Sequence, residues 1–359
     1  MKLLYIHQTY TPHDHRMLSA FTEHYEEVLF MRLDAAAPNQ DPRPLPAGVR
    51  AVEWPEPQLE TLQQVLDREA PDLLQAGPLT SGAYLAAQSG FHPFVAMSWG
   101  WDLLLEAKRD AGHQERVEFA LSQADAVLGD CQTIRDELRS YGVPNERISA
   151  FPWGIDLQAF TLDGEDGGLR AGLGWQDAFV LLHVRSWRPD YGVEAVAEAF
   201  AAAAQANPNL RLLMPGAGPL EAKLRRIFEE AGLTDRVHLP GPISQAELPA
   251  YYRAADLYLS NSHSDGSSVS LMEALASGLP VLVSDILGNR EWVEPGQQGW
   301  LFPVDDVDAI VESIGRATQA DRHAMGQAAR RRAEARADWQ RNKAGLWDLH
   351  RIALEVANG

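Results

Sequence analysis

Two carboxylates, Asp265 and Glu273, stand at either end of a stretch of mostly small residues. An apolar run of strand type precedes Asp265, and a helix-like run takes in Glu273. One carboxylate therefore lies in a loop and the other about two turns into a helix, where they can bind hydroxyl groups at two ends of one extended ligand. Sugars and ribose carry hydroxyls of this kind.

The residues between these carboxylates predict an anion site. Gly266, Ser267 and Ser268 keep the backbone small and approachable, and the N–H groups around Ser267–Val269 at a helix start favour an anion. A phosphate group fits these requirements. The alternative is an ordinary strand–loop–helix with a serine cap at Ser267 or Ser270.

The composition is that of a folded protein with two domains. The 359 residues exceed what one core usually serves, and 45% hydrophobic and 23% charged residues exclude disordered, collagen-like and disulfide-scaffold classes. The single cysteine, Cys131, has no partner for a disulfide, and the first residues lack the apolar stretch of a signal peptide. We therefore expect a cytoplasmic protein.

The formal net charge of −19 disfavours nucleic acid and anionic lipid as partners. No apolar run approaches the roughly 18 residues needed to span a bilayer. We expect no nucleic acid, no transmembrane segment and at most peripheral membrane contact. An anionic ligand then requires a local group of cations and backbone N–H groups.

Strand-type runs alternate with helix-type stretches, which predicts parallel sheets covered by helices on both faces. The first series of predicted strands is Lys2–His7, Glu27–Arg32, Asp72–Ala76, Phe94–Ser98, Ala126–Gly129 and Ile148–Phe151. The second series is Phe179–His183, Leu210–Met214, Val237–Leu239, Leu257–Ser260 and Val281–Ser284. The clearest helix has apolar residues at helical spacing, at Val193, Val196, Ala197, Phe200 and Ala204.

A polar, glycine-rich segment at 161–168 separates the two series and is typical of a linker. We therefore place one domain at residues 1–162, a second at 163–338 and a final helical segment at 339–359. The arginine run Arg330–Arg332 lies in a helix-like segment, where a solvated face is the expected role.

The stretch from Asp265 to Pro280 resembles the donor-binding signature of the retaining glycosyltransferase family 4, of the "glycosyl transferases group 1" type. The resemblance continues at 210–219, 237–243 and 151–156. It implies an α/β protein with the GT-B fold, in which two Rossmann-like parallel-sheet domains face each other across a cleft. It also implies that the first domain is on the acceptor side, that the second binds the nucleotide-sugar donor, and that the last helix crosses back to the N-terminal domain.

The resemblance also implies roles for single residues. The first acidic residue of the signature holds the donor sugar and the second holds the ribose, which gives these roles to Asp265 and Glu273. The family usually has glutamate first, so the shorter aspartate bears on which sugar is used. Further donor contacts are implied at Gly216, Pro242 and Ile243.

The family neutralises the diphosphate with an arginine and a lysine on the first loop of the second domain. Arg185 matches the arginine, but Tyr191 stands in the place of the lysine and is a candidate donor-binding residue at that position. Arg188, in the same loop, is the candidate second cation because a guanidinium can bind phosphate through two parallel hydrogen bonds. The alternative is that Arg188 is a surface arginine.

Two loops of the first domain are candidates for the acceptor or sugar side, because ligands of open parallel sheets gather beyond the carboxyl ends of the strands. The candidates are His13, Asp14, Arg16, Trp99 and Asp102. Trp99 stands where relatives usually have a histidine, and either stacks on a sugar or belongs to the core. Asp102 either caps the following helix or contacts a hydroxyl.

No metal site is expected. The histidines near Asp14 lack the spacing of metal ligands on a fixed element. Asp306-Val307-Asp308 has the Asp-x-Asp form of metal-binding glycosyltransferases, but it precedes an apolar periodic segment, where aspartates commonly begin a helix.

These residues and the family resemblance together predict a metal-independent glycosyltransferase of the hexosyltransferase type, class EC 2.4. The resemblance implies that the anomeric configuration is retained. We expect a UDP- or GDP-linked donor, no cofactor, and a glycan, lipid-linked or small-molecule acceptor. Arg185, Arg188 and the N–H groups of Ser267–Val269 would stabilise the charge of the departing diphosphate. Two alternatives stay open: a sugar-nucleotide epimerase on the same fold, and a non-catalytic nucleotide-sugar-binding protein, motivated by Tyr191 and Trp99.

Overall fold

The structure is a computed structural model that describes residues 1–37, 40–54 and 56–359. The chain forms two compact units. The first consists of Met1–Phe151 with Lys343–Gly359, and the second of Pro152–Asn342. Each unit is a parallel β-sheet with helices.

In the first unit, the strands pair in the order β3-β2-β1-β4-β5-β6-β7, all parallel. They are β1 (Lys2–His7), β2 (Glu27–Arg32), β3 (Val49–Ala51), β4 (Leu73–Ala76), β5 (Phe94–Met97), β6 (Ala126–Gly129) and β7 (Ile148–Ala150). The helices before the second unit are α1 (Pro12–His24), α2 (Leu59–Glu69), α3 (Gly82–Gln88), α4 (Trp101–Leu104), α5 (Ala111–Gln123) and α6 (Gln132–Ser140).

In the second unit, the strands pair in the order β10-β9-β8-β11-β12-β13, again all parallel. They are β8 (Phe179–Leu182), β9 (Leu210–Leu213), β10 (Val237–His238), β11 (Leu257–Ser260), β12 (Val281–Ser284) and β13 (Gly299–Phe302). The helices are α7 (Leu169–Leu173), α8 (Val193–Ala206), α9 (Glu221–Glu230), α10 (Leu248–Arg253), α11 (Val269–Ala276), α12 (Leu287–Arg290), α13 (Val307–Gln319), α14 (Arg322–Arg336) and α15 (Trp339–Asn342).

The last helix, α16 (Ala344–Ala357), belongs to the first unit. Its His350 is buried and bonds to two residues of that unit: the Tyr25 hydroxyl at 2.6 Å and the Gln75 amide oxygen at 2.7 Å. None of the described helices combines the length and hydropathy that crossing a bilayer requires.

Buried apolar residues explain why most strands were predicted within a residue of their observed bounds. The central strands β4, β5 and β6 are buried along their whole length, as expected for parallel strands covered on both faces. The five apolar residues of the α8 stripe are also buried, which confirms that prediction.

Two strands were missed, β3 and β13. The first has three residues, of which Arg50 and Ala51 are exposed, so it carries no apolar run. The second begins at Gly299, where a Cβ atom would lie 1.7 Å from the Val281 carbonyl oxygen. Only the tertiary contact with β12 shows why glycine stands there.

The units divide after Phe151, whereas the glycine-rich segment 161–168 lies inside the second unit. The reason is that residues after Phe151 pair with a distant part of that unit. The Ile155 N–H donates to the Ala337 carbonyl at 2.7 Å, and the Trp339 N–H donates to the Ile155 carbonyl at 3.2 Å.

The expectation of a solvated face at Arg330–Arg332 was wrong for Arg330. Its guanidinium donates to the carbonyls of Phe160 (2.6 Å), Ala276 (2.8 Å) and Leu157 (3.2 Å). Because Ala276 ends α11, Arg330 satisfies a carbonyl that the helix leaves unpaired.

Candidate functional site

Four neighbouring strands of the second unit, β10, β9, β8 and β11, are parallel, so the loops after them emerge at one edge of the sheet. Hydrogen bonds join these loops. The Gly216 N–H donates to the Gly241 carbonyl at 2.9 Å, and the His263 N–H donates to the Asp190 carbonyl at 3.0 Å. The topology therefore gathers the candidate residues of the second unit that lie on these loops.

Arg185 is the centre of this group. It lies just beyond the end of β8, and its Nη2 donates to Asp265 Oδ2 at 2.7 Å. Its Nη1 donates to the Ser268 hydroxyl at 3.0 Å and to the Ser270 hydroxyl at 3.2 Å. The predicted cation thus contacts both the predicted sugar-binding carboxylate and the start of α11.

The Arg185 guanidinium is held in place by hydrogen bonds that do not use all of its N–H groups. Its side chain is 11% exposed, and within the described residues it donates three of its five N–H groups to protein side chains. Burial is the largest single effect and lowers the pKa of Arg185, but the charge and hydrogen bond of Asp265, together with Tyr191 and Tyr258, raise the pKa above its usual value. Arg185 is therefore permanently charged, with donors left for a ligand.

The two other candidates on this loop differ in their surroundings. The ring of Tyr191 stacks on Arg185, with the guanidinium carbon 4.0 Å from the ring centroid. The Arg188 side chain is 60% exposed and lies 3.3 Å from Asp190, which is 57% exposed. Arg188 therefore has the environment of a surface ion pair, the alternative that the sequence had left open.

Glu273 lies in α11 and is 4% exposed. The buried hydroxyl of Tyr252 donates to Glu273 Oε2 at 2.9 Å and to the Ser270 carbonyl at 3.0 Å. Burial, followed by the charge of Glu273, raises the pKa of Tyr252 well above its usual value, so this hydroxyl remains a donor. The carboxylate is thus oriented from one side by a fixed hydrogen bond.

The start of α11 is organised by Arg185. Ser268 is the N-cap residue, yet its side chain makes no capping bond and accepts from Arg185 instead. Ser270 is likewise engaged, because its hydroxyl lies 2.7 Å from that of Tyr258. Gly266 and Ser267 are buried beside them. The N-cap is therefore Ser268, and the serine-cap alternative is wrong for Ser270, which lies inside α11.

Glycine is required where loops pass close to these side chains. At Gly216 the backbone has φ +145°, and a Cβ atom would lie 2.9 Å from the Arg185 carbonyl oxygen. At Gly288 a Cβ atom would lie 2.3 Å from the Asp265 carbonyl oxygen. On the neighbouring loop, Pro242 is exposed and Ile243 packs against the core.

His183, next to Arg185, was not identified as a functional candidate from the sequence. It is fully buried, and its Nδ1 lies 2.9 Å from the Leu259 carbonyl, while its Nε2 has no hydrogen-bond partner within the described chain. Burial lowers the pKa of His183 to about 4, so the ring is neutral at pH 7. No sequence pattern distinguishes it from an ordinary strand-end histidine.

In the first unit, Asp14 is fully buried, and its carboxylate accepts from the Tyr5 hydroxyl at 2.7 Å and from the Thr11 N–H at 2.7 Å. It also lies 3.0 Å from His7 Nδ1. Burial alone would raise the pKa of Asp14, but His7, Thr11 and Tyr5 hold it below the usual value. With Thr11, Asp14 forms the capping box of α1, so its carboxylate is committed to the protein.

Trp99 lies among histidines. Its ring centroid is 4.8 Å from that of His7 and 5.7 Å from that of His13. The fold thus brings together the two candidate loops of the first unit, and adds His7, the last residue of β1. Arg16 is half-buried on α1.

Asp102 is fully buried and accepts from three donors: the Leu79 N–H at 2.7 Å, the Ser98 hydroxyl at 2.8 Å and the Trp99 N–H at 2.9 Å. Burial raises the pKa of Asp102 to about 6. Gly100, and not Asp102, is the N-cap of α4. The predicted helix cap was therefore wrong, and the carboxylate instead joins two loops of the first unit.

In the described part of the chain, no group of three or more His, Cys, Asp or Glu residues has the geometry to hold a metal ion. Asp306 is the N-cap of α13, where its side chain accepts from the Ala309 N–H at 2.9 Å. The capping role predicted for the Asp-x-Asp motif is confirmed at Asp306.

Comparison with known proteins identifies two family models. The description "Glycosyltransferase Family 4" matches residues 13–159, and "Glycosyl transferases group 1" matches residues 169–332. HepE of Anabaena, solved with UDP-glucose, superposes with a TM-score of 0.80 at 20% identity, covering 100% of both chains. The architecture is therefore that of GT-B glycosyltransferases.

Among curated relatives, the GDP-mannose-dependent alpha-(1-6)-phosphatidylinositol monomannoside mannosyltransferase of Mycolicibacterium smegmatis is 26% identical over 288 residues, which are 76% of this chain and 74% of the relative. The GtfA subunit of the UDP-N-acetylglucosamine--peptide N-acetylglucosaminyltransferase of Streptococcus gordonii is 40% identical over 115 residues, 30% of this chain and 22% of the relative. The chain spans about half or less of several such curated relatives.

Proposed function

We propose that this chain, which belongs to the family-4 type of glycosyltransferases, transfers a sugar from a nucleoside-diphosphate sugar to an acceptor. The observation that carries the proposal is the contact between Arg185 and Asp265 beside the start of α11. Glu273 lies further along the same helix. The contact places a fixed cation, a carboxylate and helix N–H groups on adjoining loops of one sheet edge.

The arrangement suits cleavage of the bond between the anomeric carbon and the diphosphate. Positive charge develops on the sugar and negative charge on the departing diphosphate, so catalysis requires positive potential at the leaving group. Arg185 supplies a permanent charge with unused N–H groups, and α11 adds the N–H groups of its first turn. We propose that these groups act without a metal.

The two carboxylates bind different parts of the donor, Asp265 the sugar and Glu273 the ribose. Asp265 uses Oδ2 for Arg185, which leaves Oδ1 to accept from a sugar hydroxyl. Glu273, oriented by Tyr252, accepts from the ribose hydroxyls. Because Asp265 contacts Arg185 directly, the sugar and the diphosphate are positioned by one connected network. Retention of the anomeric configuration is part of the proposal and rests on family membership.

The donor is proposed to be UDP- or GDP-linked. One relative is named as GDP-mannose-dependent, and one structure of the same fold was solved with UDP-glucose. We propose an acceptor bound by the first unit, where His13 and Trp99 lie together, and a cytoplasmic site of action.

The test is a thermal-shift titration of UDP, GDP, UDP-glucose and GDP-mannose, with and without chelator. We expect one base to raise the Tm by several degrees regardless of chelator. The shift should disappear in Glu273→Ala, which keeps a partner for Tyr252 at the Ser270 carbonyl. No shift with any nucleotide would contradict the proposal, whereas a shift that requires divalent metal would contradict its metal-independent form.

A second measurement separates transfer from the alternatives. Incubated with the bound donor alone, a transferase releases sugar and nucleotide slowly, and the rate rises when an acceptor is added. An epimerase turns over at full rate without an acceptor. A binding protein does not cleave the donor, so it produces no free nucleoside diphosphate with or without an acceptor.

A further inference from the structure

The Tyr191 ring covers one face of the Arg185 guanidinium, at 4.0 Å from its central carbon. The hydrogen bonds of Arg185 to Asp265 and Ser268 run instead from the edge of the guanidinium. Ring and hydrogen bonds therefore restrain different motions, because stacking resists tilting of the plane and hydrogen bonds resist rotation within it.

We propose that Tyr191 is a positioning residue that fixes Arg185 for the donor diphosphate. One oriented guanidinium then takes the place of the arginine–lysine pair that the family resemblance implies. This inference rests on the proposed function.

The backbone around Tyr191 is tied to the end of β11 on both sides. The His263 N–H donates to the Asp190 carbonyl at 3.0 Å, and the Asn261 side-chain amide donates to the Gly192 carbonyl at 3.2 Å. Tyr191 itself lies in a short 3-10 turn, Pro189–Tyr191. The ring is thus presented by a braced turn.

Gly192 shows how closely this turn is fitted. Its φ is +55°, and a Cβ atom would lie 2.2 Å from the Asn261 amide nitrogen. Asn261 is fully buried and also exchanges hydrogen bonds with Asp305, whose carboxylate accepts at 2.7 Å and whose N–H donates at 3.1 Å. A glycine and a buried amide therefore set the position of the residue that stacks on Arg185.

The other cation of this turn, Arg188, does not contact Arg185 in the described chain and is not held in place as Arg185 is. Arg188 is 60% exposed and bonds to Asp190, which partly neutralises it. Stacking a guanidinium on an aromatic ring is favourable, and more so at a site that is partly removed from water. Tyr191 contributes this orienting contact without adding the repulsion that a lysine beside Arg185 would bring.

The experiment compares Tyr191→Leu, Tyr191→Phe and Tyr84→Leu by isothermal titration with UDP and GDP. Tyr84 is the matched control, because Arg116 lies over its ring at 5.5 Å in the first unit. We expect Tyr191→Leu to lower the affinity for the nucleoside diphosphate about tenfold, equivalent to about 1.4 kcal/mol. Tyr191→Phe should stay within about twofold of the unaltered protein, and Tyr84→Leu should bind normally.

Two further measurements exclude a merely structural role. Uridine or guanosine, which lack phosphate, should bind Tyr191→Leu as they bind the unaltered protein. In an Arg185→Lys background, Tyr191→Leu should change diphosphate affinity by less than about twofold, because an ammonium has no plane to orient.

Unchanged diphosphate affinity in Tyr191→Leu would overturn the inference while leaving the proposed function intact. Equal losses for nucleoside and diphosphate would also overturn it, since they would indicate a damaged fold. Failure of the unaltered protein to bind either UDP or GDP would overturn the proposed function itself, and this inference with it.

Discussion

The guanidinium of Arg185 and the carboxylate of Asp265 are joined by a hydrogen bond of 2.7 Å, with side chains 11% and 20% exposed. The residue expected to bind the diphosphate and the residue expected to bind the sugar are therefore hydrogen-bond partners in this structure. Substitution of either residue removes a hydrogen-bond partner of the other, so the first two predictions concern Arg185 and Asp265.

Arg185→Ala should lower kcat/KM for nucleotide release from the donor about a hundredfold, or about 3 kcal/mol, because a partly buried charged contact to the diphosphate is lost. Steady-state kinetics with the donor that binds would measure this. Arg225→Ala, which removes an exposed arginine of α9 paired with Glu221, is the matched control and should be unaffected. An unchanged rate in Arg185→Ala would remove it from the mechanism.

Asp265→Glu should change the preferred sugar more than the total rate, since glutamate keeps the charge beside Arg185 and extends the carboxylate by one methylene. The relative kcat/KM values for UDP-glucose, UDP-galactose, UDP-N-acetylglucosamine and GDP-mannose would show the change. Asp265→Asn keeps the length but loses the charge, and should slow all donors alike. If both variants kept the original ratios and rates, Asp265 would not contact the sugar.

Tyr252→Phe should raise the KM for the donor several-fold and lower the free energy of unfolding by about 1 kcal/mol. The reason is that Glu273 loses its orienting hydrogen bond of 2.9 Å. Tyr251→Phe is the control, because Tyr251 is a buried tyrosine on the same helix, α10, whose hydroxyl has no hydrogen-bond partner among the described residues. Denaturant unfolding and donor kinetics check the two effects separately, and a loss of stability with unchanged KM would argue against a role in donor binding.

The stability of the first unit should fall as the solution is acidified, through His350 on α16. Burial, reinforced by nearby His24, lowers the pKa of His350 from 6.5 to about 3. A histidine whose pKa is lower in the folded chain takes up its proton first in the unfolded chain, so stability is lost as pH drops below about 6.5.

The slope should approach about 1.4 kcal/mol per pH unit between about pH 6 and 4. Unfolding of the original protein and of His350→Gln, followed between pH 7 and 4.5, would measure it. Glutamine does not titrate, so the difference in stability between the two proteins should shrink as pH falls. A constant difference across this range would contradict the assignment to His350.

The sequence by itself determined the layered architecture and indicated the candidate site residues of the second unit. Strands such as β5 and β6 are continuous apolar runs because parallel strands are covered on both faces, and this burial is visible in the residue types. Asp265 and Glu273 could be predicted as site residues because their spacing is local, within one loop and one helix. The cap at Asp306 was recognisable for the same reason.

Contacts between residues distant in the sequence were decided only by the tertiary structure. Stacking of Tyr191 on Arg185 depends on where a turn is held by the end of another strand, and the pairing of Arg185 with Ser268 joins residues 83 positions apart. The burial of Asp102 among donors from two loops follows the same rule. Polar side chains can bond to many different groups, and the packed backbone decides which of these groups come within hydrogen-bond distance.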